Sequence, residues 1–317
     1  MTLDNAKRRP VVLCAGIAVE DFIFKVERFP QPGEKAQASA LIATAGGCAA
    51  NAAMAVARLG GVARFTGPVG TDQASARFLD SLGRTGVDAR GVVRVEGGSI
   101  SVSGIFIDAT GEKLLATRRG ELLAQARPRD AAALVADVDI VMADNRFPYF
   151  VQPILQAAVQ RGIPAVLDGD QATTPDDPLF AIASHIIFSS EALRATTGSD
   201  DLAAALKVIA KTAAKTAAKD APGFLAVTNG PEAILWLEDG EIRREVRHLA
   251  AFPVEAVDTL GAGDTFHGAF VLALAERRDL PAGMRFAAAA AALKCTRFGG
   301  IAGTPTRAEV DAFLALH

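Results

Sequence analysis

Two hydrophobic rhythms alternate along the chain. Short runs dominated by apolar residues recur at Val11–Val19, Arg64–Val69, Ile140–Ala143, Ala165–Asp168, His185–Phe188 and Phe224–Thr228. Each has the length of a strand, and near-continuous apolarity suits a strand buried on both faces. Between them lie segments with helical patterning: Ala49–Leu59, ended by Gly60-Gly61, then Ser75–Leu82 before Gly83, Pro153–Gln160 and Asp201–Lys219. Thr265–Ala275 and Arg285–Cys295 carry Ala, Phe and Leu on most faces, which predicts two buried helices. Strand–helix alternation predicts an α/β fold built on a parallel sheet with helices on both sides.

Two segments break the alternation. Phe22–Leu41 and Ser99–Arg119 mix apolar and polar positions around the turn residues Pro30-Gln-Pro-Gly33 and Asp108-Ala-Thr-Gly111. Both are predicted to be antiparallel hairpins. Two hairpins inserted near the carboxyl edge of a parallel sheet can form one small sheet over it, a lid.

Length and charge narrow the functional classes. At 317 residues the chain is long enough for two domains, or for one large α/β domain with an appendage. A net charge of -3 and a pI near 5.9 give no support to nucleic-acid binding. Lys207, Lys211, Lys215 and Lys219 form a four-residue-spaced stripe, expected to be a solvated helix face. Cys14, Cys48 and Cys295 form no CxxC pair, which excludes a disulfide scaffold and fits a reducing compartment. No apolar run is long enough for a membrane helix. Lys7, Arg8 and Arg9 before Val11–Val19 imitate a signal peptide, but Glu20 and Asp21 follow at once, so a cytoplasmic protein is expected.

The strongest chemical signal is Asp258-Thr-Leu-Gly-Ala-Gly-Asp264-Thr-Phe-His-Gly-Ala-Phe270. Small residues at Gly261, Ala262 and Gly263 allow successive amides to face one point, and the helix behind adds its positive end. Together these suit a phosphate or a phosphoryl transition state. Asp264 stands at the edge of this cradle, where a carboxylate can take a proton from an attacking hydroxyl. No His/Cys cluster points to a transition metal, and His267 is expected to be structural.

This string resembles the second signature of the ribokinase-like (PfkB-type) carbohydrate kinases. Ala45-Gly46-Gly47-Cys48-Ala-Ala-Asn51, running on through Leu59-Gly60 to Gly67-Pro-Val-Gly70, resembles the first. Gly16-Ile-Ala-Val-Glu-Asp21 is similar to the family's first strand exit, so the resemblance spans nearly the whole chain in order. It implies a single ribokinase-like domain over residues 1–317, a three-layer αβα sandwich of nine or ten core strands with a small β-sheet lid. It also implies ATP with Mg²⁺ and phosphorylation of a sugar hydroxyl. Asp264 becomes the catalytic base and Gly261, Ala262 and Gly263 the anion hole. Gly46, Gly47 and Asn51 approach the sugar, and Asp21 accepts from two of its hydroxyls.

For the nucleotide, Val227-Thr228-Asn229-Gly230 resembles the family's strand-end turn near the phosphates, which assigns Thr228 and Gly230. The family's Asn-x-x-Glu appears here as Ser189-Ser190-Glu191 before Thr197-Gly198; Glu191 is expected to act on Mg²⁺ through water, without the Asn. Asp258 and the carbonyl of Leu260 are expected to border a monovalent-cation site, such as one for K⁺.

Several cations fall near the expected sugar site: Lys35 in the first hairpin, Arg118 and Arg119 at the end of the second, and Arg146 after a core strand. Ala143-Asp-Asn-Arg-Phe, Leu167-Asp-Gly-Asp170 and Ala292-Leu-Lys-Cys-Thr-Arg-Phe-Gly-Gly300 look especially like the 6-deoxy-6-sulfofructose kinases. There a lid Lys, an Asn of the second hairpin and an Arg after the core strand hold the sulfonate. Lys35 and Arg146 match two of these, and Thr117 falls where the Asn is expected. The substrate expected is therefore a 6-anionic ketohexose phosphorylated at C1, in a homodimer paired through the lid. Fructose 6-phosphate-like sugars, keto-deoxy sugar acids, neutral sugars or nucleosides stay open, as does a non-catalytic sugar-binding regulator.

Overall fold

The computed structural model describes residues 8–216, 222–238 and 245–317. The chain opens with β1 (Val11–Ala15), β2 (Val19–Lys25), β3 (Ala40–Gly46) and α1 (Cys48–Arg58). It continues through β4 (Val62–Thr66), β5 (Pro68–Val69), α2 (Gln73–Arg84), β6 (Val93–Arg94), β7 (Ser101–Ile107), β8 (Lys113–Arg118) and α3 (Ala131–Leu134). Then come β9 (Ile140–Asp144), α4 (Pro148–Gln160), β10 (Ala165–Gly169), β11 (His185–Ser189), α5 (Ser190–Thr197), α6 (Leu202–Thr216) and β12 (Phe224–Thr228). The chain ends with β13 (Ala233–Glu238), β14 (Arg247–Ala250), α7 (Ala262–Ala275), α8 (Leu280–Cys295) and α9 (Arg307–Leu316).

The principal sheet has the order β14-β13-β12-β11-β10-β9-β1-β4, with β13 and β14 antiparallel and the other six strands parallel. Among the described residues it has eight strands, against the nine or ten expected. Side chains alternate across it, as the pleat dictates. Val12, Cys14, Met142, Val166 and Ile187 join α1, α7 and α8 in one core; Leu13, Val141, Ala143, Leu167 and Phe188 join α4, α5 and α6 in the other. This is the expected αβα sandwich.

The apolar run at Val11–Val19 is not one strand. It breaks after Ala15, and β2 leaves for a second sheet of order β3-β2-β7-β8. A Cβ at Gly16 would lie 2.1 Å from Asp144 Oδ2, so only glycine fits this corner. The lid therefore begins at Val19 and ends at Gly46, beyond the predicted 22–41 on both sides, while the second hairpin runs over 101–118. Helix α2 starts at Gln73 because the Asp72 side chain caps it, and it passes through Gly83. Pro153 lies inside α4 instead of opening it.

The lid packs through Ile23, Ile42, Ile105 and Ile107 against Leu260, just before α7, and Phe298, just after α8. Lys207, Lys211 and Lys215 are exposed on α6 as expected; Lys219, like Lys7, lies outside the described residues. No helix among the described residues is long and apolar enough to cross a membrane.

Candidate active site

The site forms where the strand order reverses. β1 leads to β4 on one side, and the chain then returns as β9 on the other side of β1. In α/β sheets such a switch point opens a crevice at the carboxyl ends of the strands. Asp144 ends β9 fully buried and ties its neighbours together. Its carboxylate accepts from the amides of Ile17 at 2.8 Å, Ala49 at 3.1 Å and Arg146 at 3.0 Å. Asn145 fixes the loop after β10, donating to Gln171 O at 2.7 Å and accepting from Gln171 N at 3.1 Å. Arg146 is thereby set beside Asp170, and the two side chains form an ion pair.

Helices α1 and α7 bring the next two residues together. A Cβ at Gly268 would meet Ala52 O at 2.6 Å, so the helices touch backbone to backbone. Asn51, next to Ala52 on α1, donates through Nδ2 to Oδ2 of Asp264, one turn before Gly268 on α7, at 2.6 Å. Asn51 is buried, and its Oδ1 has no partner among the described residues. An unpaired buried acceptor carries a desolvation penalty of ~1–3 kcal/mol, which a ligand hydroxyl can relieve.

Asp264 lies in the first turn of α7, whose N-cap is Gly261 at φ 77, a conformation glycine adopts without a Cβ clash. No side chain caps this helix; the Ala262 amide turns back to Thr259 O at 3.3 Å, and the amides of Gly263 and Asp264 that follow have no acceptor among the described residues and are left for a ligand. Gly263 is exposed, and a Cβ there would meet nothing within 4 Å. Burial pushes the Asp264 carboxyl up to about 7; the Asp170 and Asp21 carboxylates add to this, while the Asn51 hydrogen bond and the Lys113 charge oppose it.

Asp21 is buried on β2 and pushed up to about 6 by burial, with a hydrogen bond from Ser103 holding it down. Ser103 in turn shares a 2.9 Å hydrogen bond with Thr117 on β8. A Cβ at Gly46 would stand 1.9 Å from Asp21 Oδ2, so glycine there is what lets the carboxylate face the site. Beneath Asp264, ligand atoms of Cys48, Asp168 and Asp264 lie within 4.8 Å of one another. Burial and the surrounding carboxylates raise Cys48 and Asp168, favouring their protonated forms. His267 is buried, with Nδ1 2.8 Å from Gly263 O and Nε2 3.5 Å from Asp168 Oδ1, and burial lowers it. It braces α7, as expected.

The structure thus gathers Asp264, Asn51, Gly46, Gly47, Asp21, Thr117 and Arg146 around one crevice. Thr228 and Gly230 close β12, and Ser189 pairs with Thr228, so Glu191 in the first turn of α5 stands beside them. Two further expected cations are on the lid surface. Arg118 is exposed and paired with Glu121 at 2.7 Å, and Lys35 is exposed on the loop between β2 and β3. Asp258 faces inward: its carboxylate accepts from the amides of Leu260, Gly299 and Gly300 at 2.8–2.9 Å and pairs with Lys294. Lys113 and Ser103 carried no functional reading in the sequence, because nothing local marks them, and Lys294 lay in a stretch quoted for the resemblance without an assigned role. Asp168 and Asp170 carried the resemblance without an assigned role.

The profile of the pfkB family carbohydrate kinases matches residues 10–307. The chain belongs to this family. It is 29% identical to a ribokinase of Bacillus subtilis over 301 residues, covering 93% of this chain and 96% of the relative. Among solved structures, Arabidopsis thaliana ribokinase complexed with ribose and ATP is 26% identical with a TM-score of 0.80, covering 96% of this chain and 98% of that one. Fructokinase from Xylella fastidiosa with bound ATP is 25% identical with a TM-score of 0.75, covering 96% and 98%. This PfkB-family chain is an ATP-dependent sugar kinase.

Proposed function

We propose that this kinase transfers the γ-phosphoryl group of ATP to the C1 hydroxyl of a ketohexose that carries an anion at C6, 6-deoxy-6-sulfofructose being one such sugar. The observation behind the choice is Arg146. Its guanidinium is held by Asp170 through Nη2 alone; among the described residues the other guanidinium nitrogens donate to no protein acceptor, and the side chain is 29% exposed. A charged fork with unused donors suits a sulfonate or phosphate. Lys35, on the lid loop, supplies a second charge when the lid closes over the sugar.

The chemistry follows from the crevice. Asp21 and Asn51 Oδ1 accept hydrogen bonds from sugar hydroxyls and orient the ring. The C1 oxygen attacks the γ-phosphorus; a new C–O–P link forms, the bond to the ADP oxygen breaks, and the hydroxyl proton passes to Asp264. The first amides of α7 stabilise charge on the transferring group. Thr228 and Gly230 flank the remaining phosphates. Glu191 is the carboxylate that would hold Mg²⁺ through water, and that ion would offset phosphate charge. The lid keeps water from competing as acceptor.

Arg146→Ala is expected to lower kcat/KM for the anionic sugar by roughly 10–150-fold, the worth of one hydrogen-bonded charge, and to leave a neutral ketohexose nearly unchanged. Steady-state kinetics on fructose 6-phosphate, sulfofructose and fructose give the ratio. A neutral sugar is the second reading. It is favoured by Asp170, whose charge already offsets Arg146, and by relatives named ribokinase and fructokinase. Equal losses on both substrates would establish it in place of the first.

We also propose a homodimer paired through the lid. Leu41, Leu114 and Leu115 lie on the edge strands β3 and β8 with 57%, 50% and 49% of their surface exposed. Light scattering is expected to give the mass of two chains for the wild type and of one for Leu114→Asp/Leu115→Asp. A monomeric wild type contradicts the pairing.

A further inference from the structure

Below the cradle lies a charge pair that the phosphoryl-transfer chemistry does not touch. Lys294, on α8, and Asp258, before α7, are both fully buried. Lys294 Nζ donates to the Asp258 carbonyl at 2.6 Å and stands 3.2 Å from Asp258 Oδ1. The same carboxylate takes the Leu260 amide at 2.8 Å on Oδ1, and the Gly299 and Gly300 amides at 2.9 and 2.8 Å on Oδ2. One buried anion therefore gathers the segment entering the cradle and the loop after α8, and one buried cation neutralises it.

Both segments carry the working surfaces. Leu260 directly precedes Gly261, and Ile301 N lies 3.3 Å from where a Gly261 Cβ would be. The lid is seated on the same two segments: Ile42 and Ile23 reach within 3.0 Å of the Cβ positions of Gly299 and Gly300, and Gly111 of the second hairpin abuts Val257. The Asp258–Lys294 node thus fixes the cradle and the seat of the lid at once.

A node of one carboxylate and one backbone carbonyl is also what a diffusible monovalent cation selects. We propose that the ammonium of Lys294 is a covalently tethered monovalent cation, which preorganises the phosphoryl cradle and makes this kinase independent of K⁺. Lys294 replaces the ion expected beside Asp258 and Leu260. A second monocation at the same carboxylate would meet like charge in a dry interior, where screening is weakest. Lys294 is a positioning residue: it reaches substrate only through Asp258, Leu260 and Gly261. The proposal rests on the kinase activity, and not on which sugar is phosphorylated.

The test compares salts. Wild-type turnover, with whichever sugar is the best acceptor, is measured in KCl and in tetramethylammonium chloride; the two rates are expected to agree within about twofold. Lys294→Ala vacates the ammonium position. It is expected to lose roughly 10–100-fold in tetramethylammonium, as second-layer supports of charged sites do, and to recover most of that in KCl or NH₄Cl. Lys294→Met fills the space without charge and should not be rescued. A readout free of turnover accompanies these rates: the melting temperature of Lys294→Ala should rise with K⁺ and not with tetramethylammonium, while the wild type shows no such difference. A wild type that needs K⁺ overturns the proposal even if no variant folds. So does a folded Lys294→Ala that is fully active in tetramethylammonium, or inactive in every salt. Absence of turnover on any sugar would count against the substrate reading alone, because the melting comparison still reports on the ion.

Discussion

Asp264→Asn is expected to lower kcat by roughly 10²–10⁴-fold while sugar affinity stays within about threefold. Asn matches the shape of Asp, so the contact with Asn51 and the turn at the head of α7 persist, but no group remains to take the hydroxyl proton. The same carboxylate dictates a pH signature. Burial holds Asp264 up near about 7, and a base works only when deprotonated. Wild-type kcat/KM, which reports the free enzyme, should therefore be flat above about pH 8 and fall as pH drops through about 7. It should steepen near about 6, where Asp21 also takes a proton. The Asn variant should lack the limb at 7. A near-normal kcat in the variant, or a wild-type profile flat from pH 6 to 8, contradicts the role of Asp264.

Gly263→Val should separate folding from catalysis. Gly263 is helical, and a Cβ there meets no heavy atom within 4 Å, so the folded chain has room for it. Valine is a slightly better helix former than glycine, by ~0.3 kcal/mol, so the melting temperature should hold or rise a little. The added methyl groups nevertheless project into the open space above the first-turn amides, where the phosphoryl group must come. A loss of ~10²-fold or more in kcat/KM is expected, comparable to removing an oxyanion-hole donor. Full activity in the folded variant would place the cradle elsewhere.

How much was legible in the sequence depended on whether the deciding interaction was local. The core strands β9 to β12 were visible because each is apolar on both faces, and α7 and α8 because they are apolar nearly all round. The break at Gly16 was not visible: it depends on Asp144, a residue on another strand. Helix α9 was missed although Thr306-Arg-Ala-Glu309 forms a capping box ahead of Val310, Phe313 and Leu314. That signal was present. For the site, Asp264 stood out beside the small residues at 261–263, and Asn51, Asp21 and Gly46 stood out through the family resemblance. The partners that set their charge did not. Asp170 is 24 residues from Arg146, and Lys294 is 36 residues from Asp258, and only the fold brings each pair together. The ion pair at Arg146 turns an apparently free cation into one with a single committed donor, and Lys294 pairs with the Asp258 carboxylate, beside which a diffusible cation was expected.

The account stands most directly on whether ATP turnover depends on a sugar. ADP release is measured with the wild-type protein, ATP and Mg²⁺ against sulfofructose, fructose 6-phosphate, fructose, ribose, nucleosides and keto-deoxy sugar acids. The prediction is ADP release that requires a sugar, is highest for a 6-anionic ketohexose, and is matched mole for mole by sugar phosphate. ADP release that ignores every sugar on the panel would contradict it.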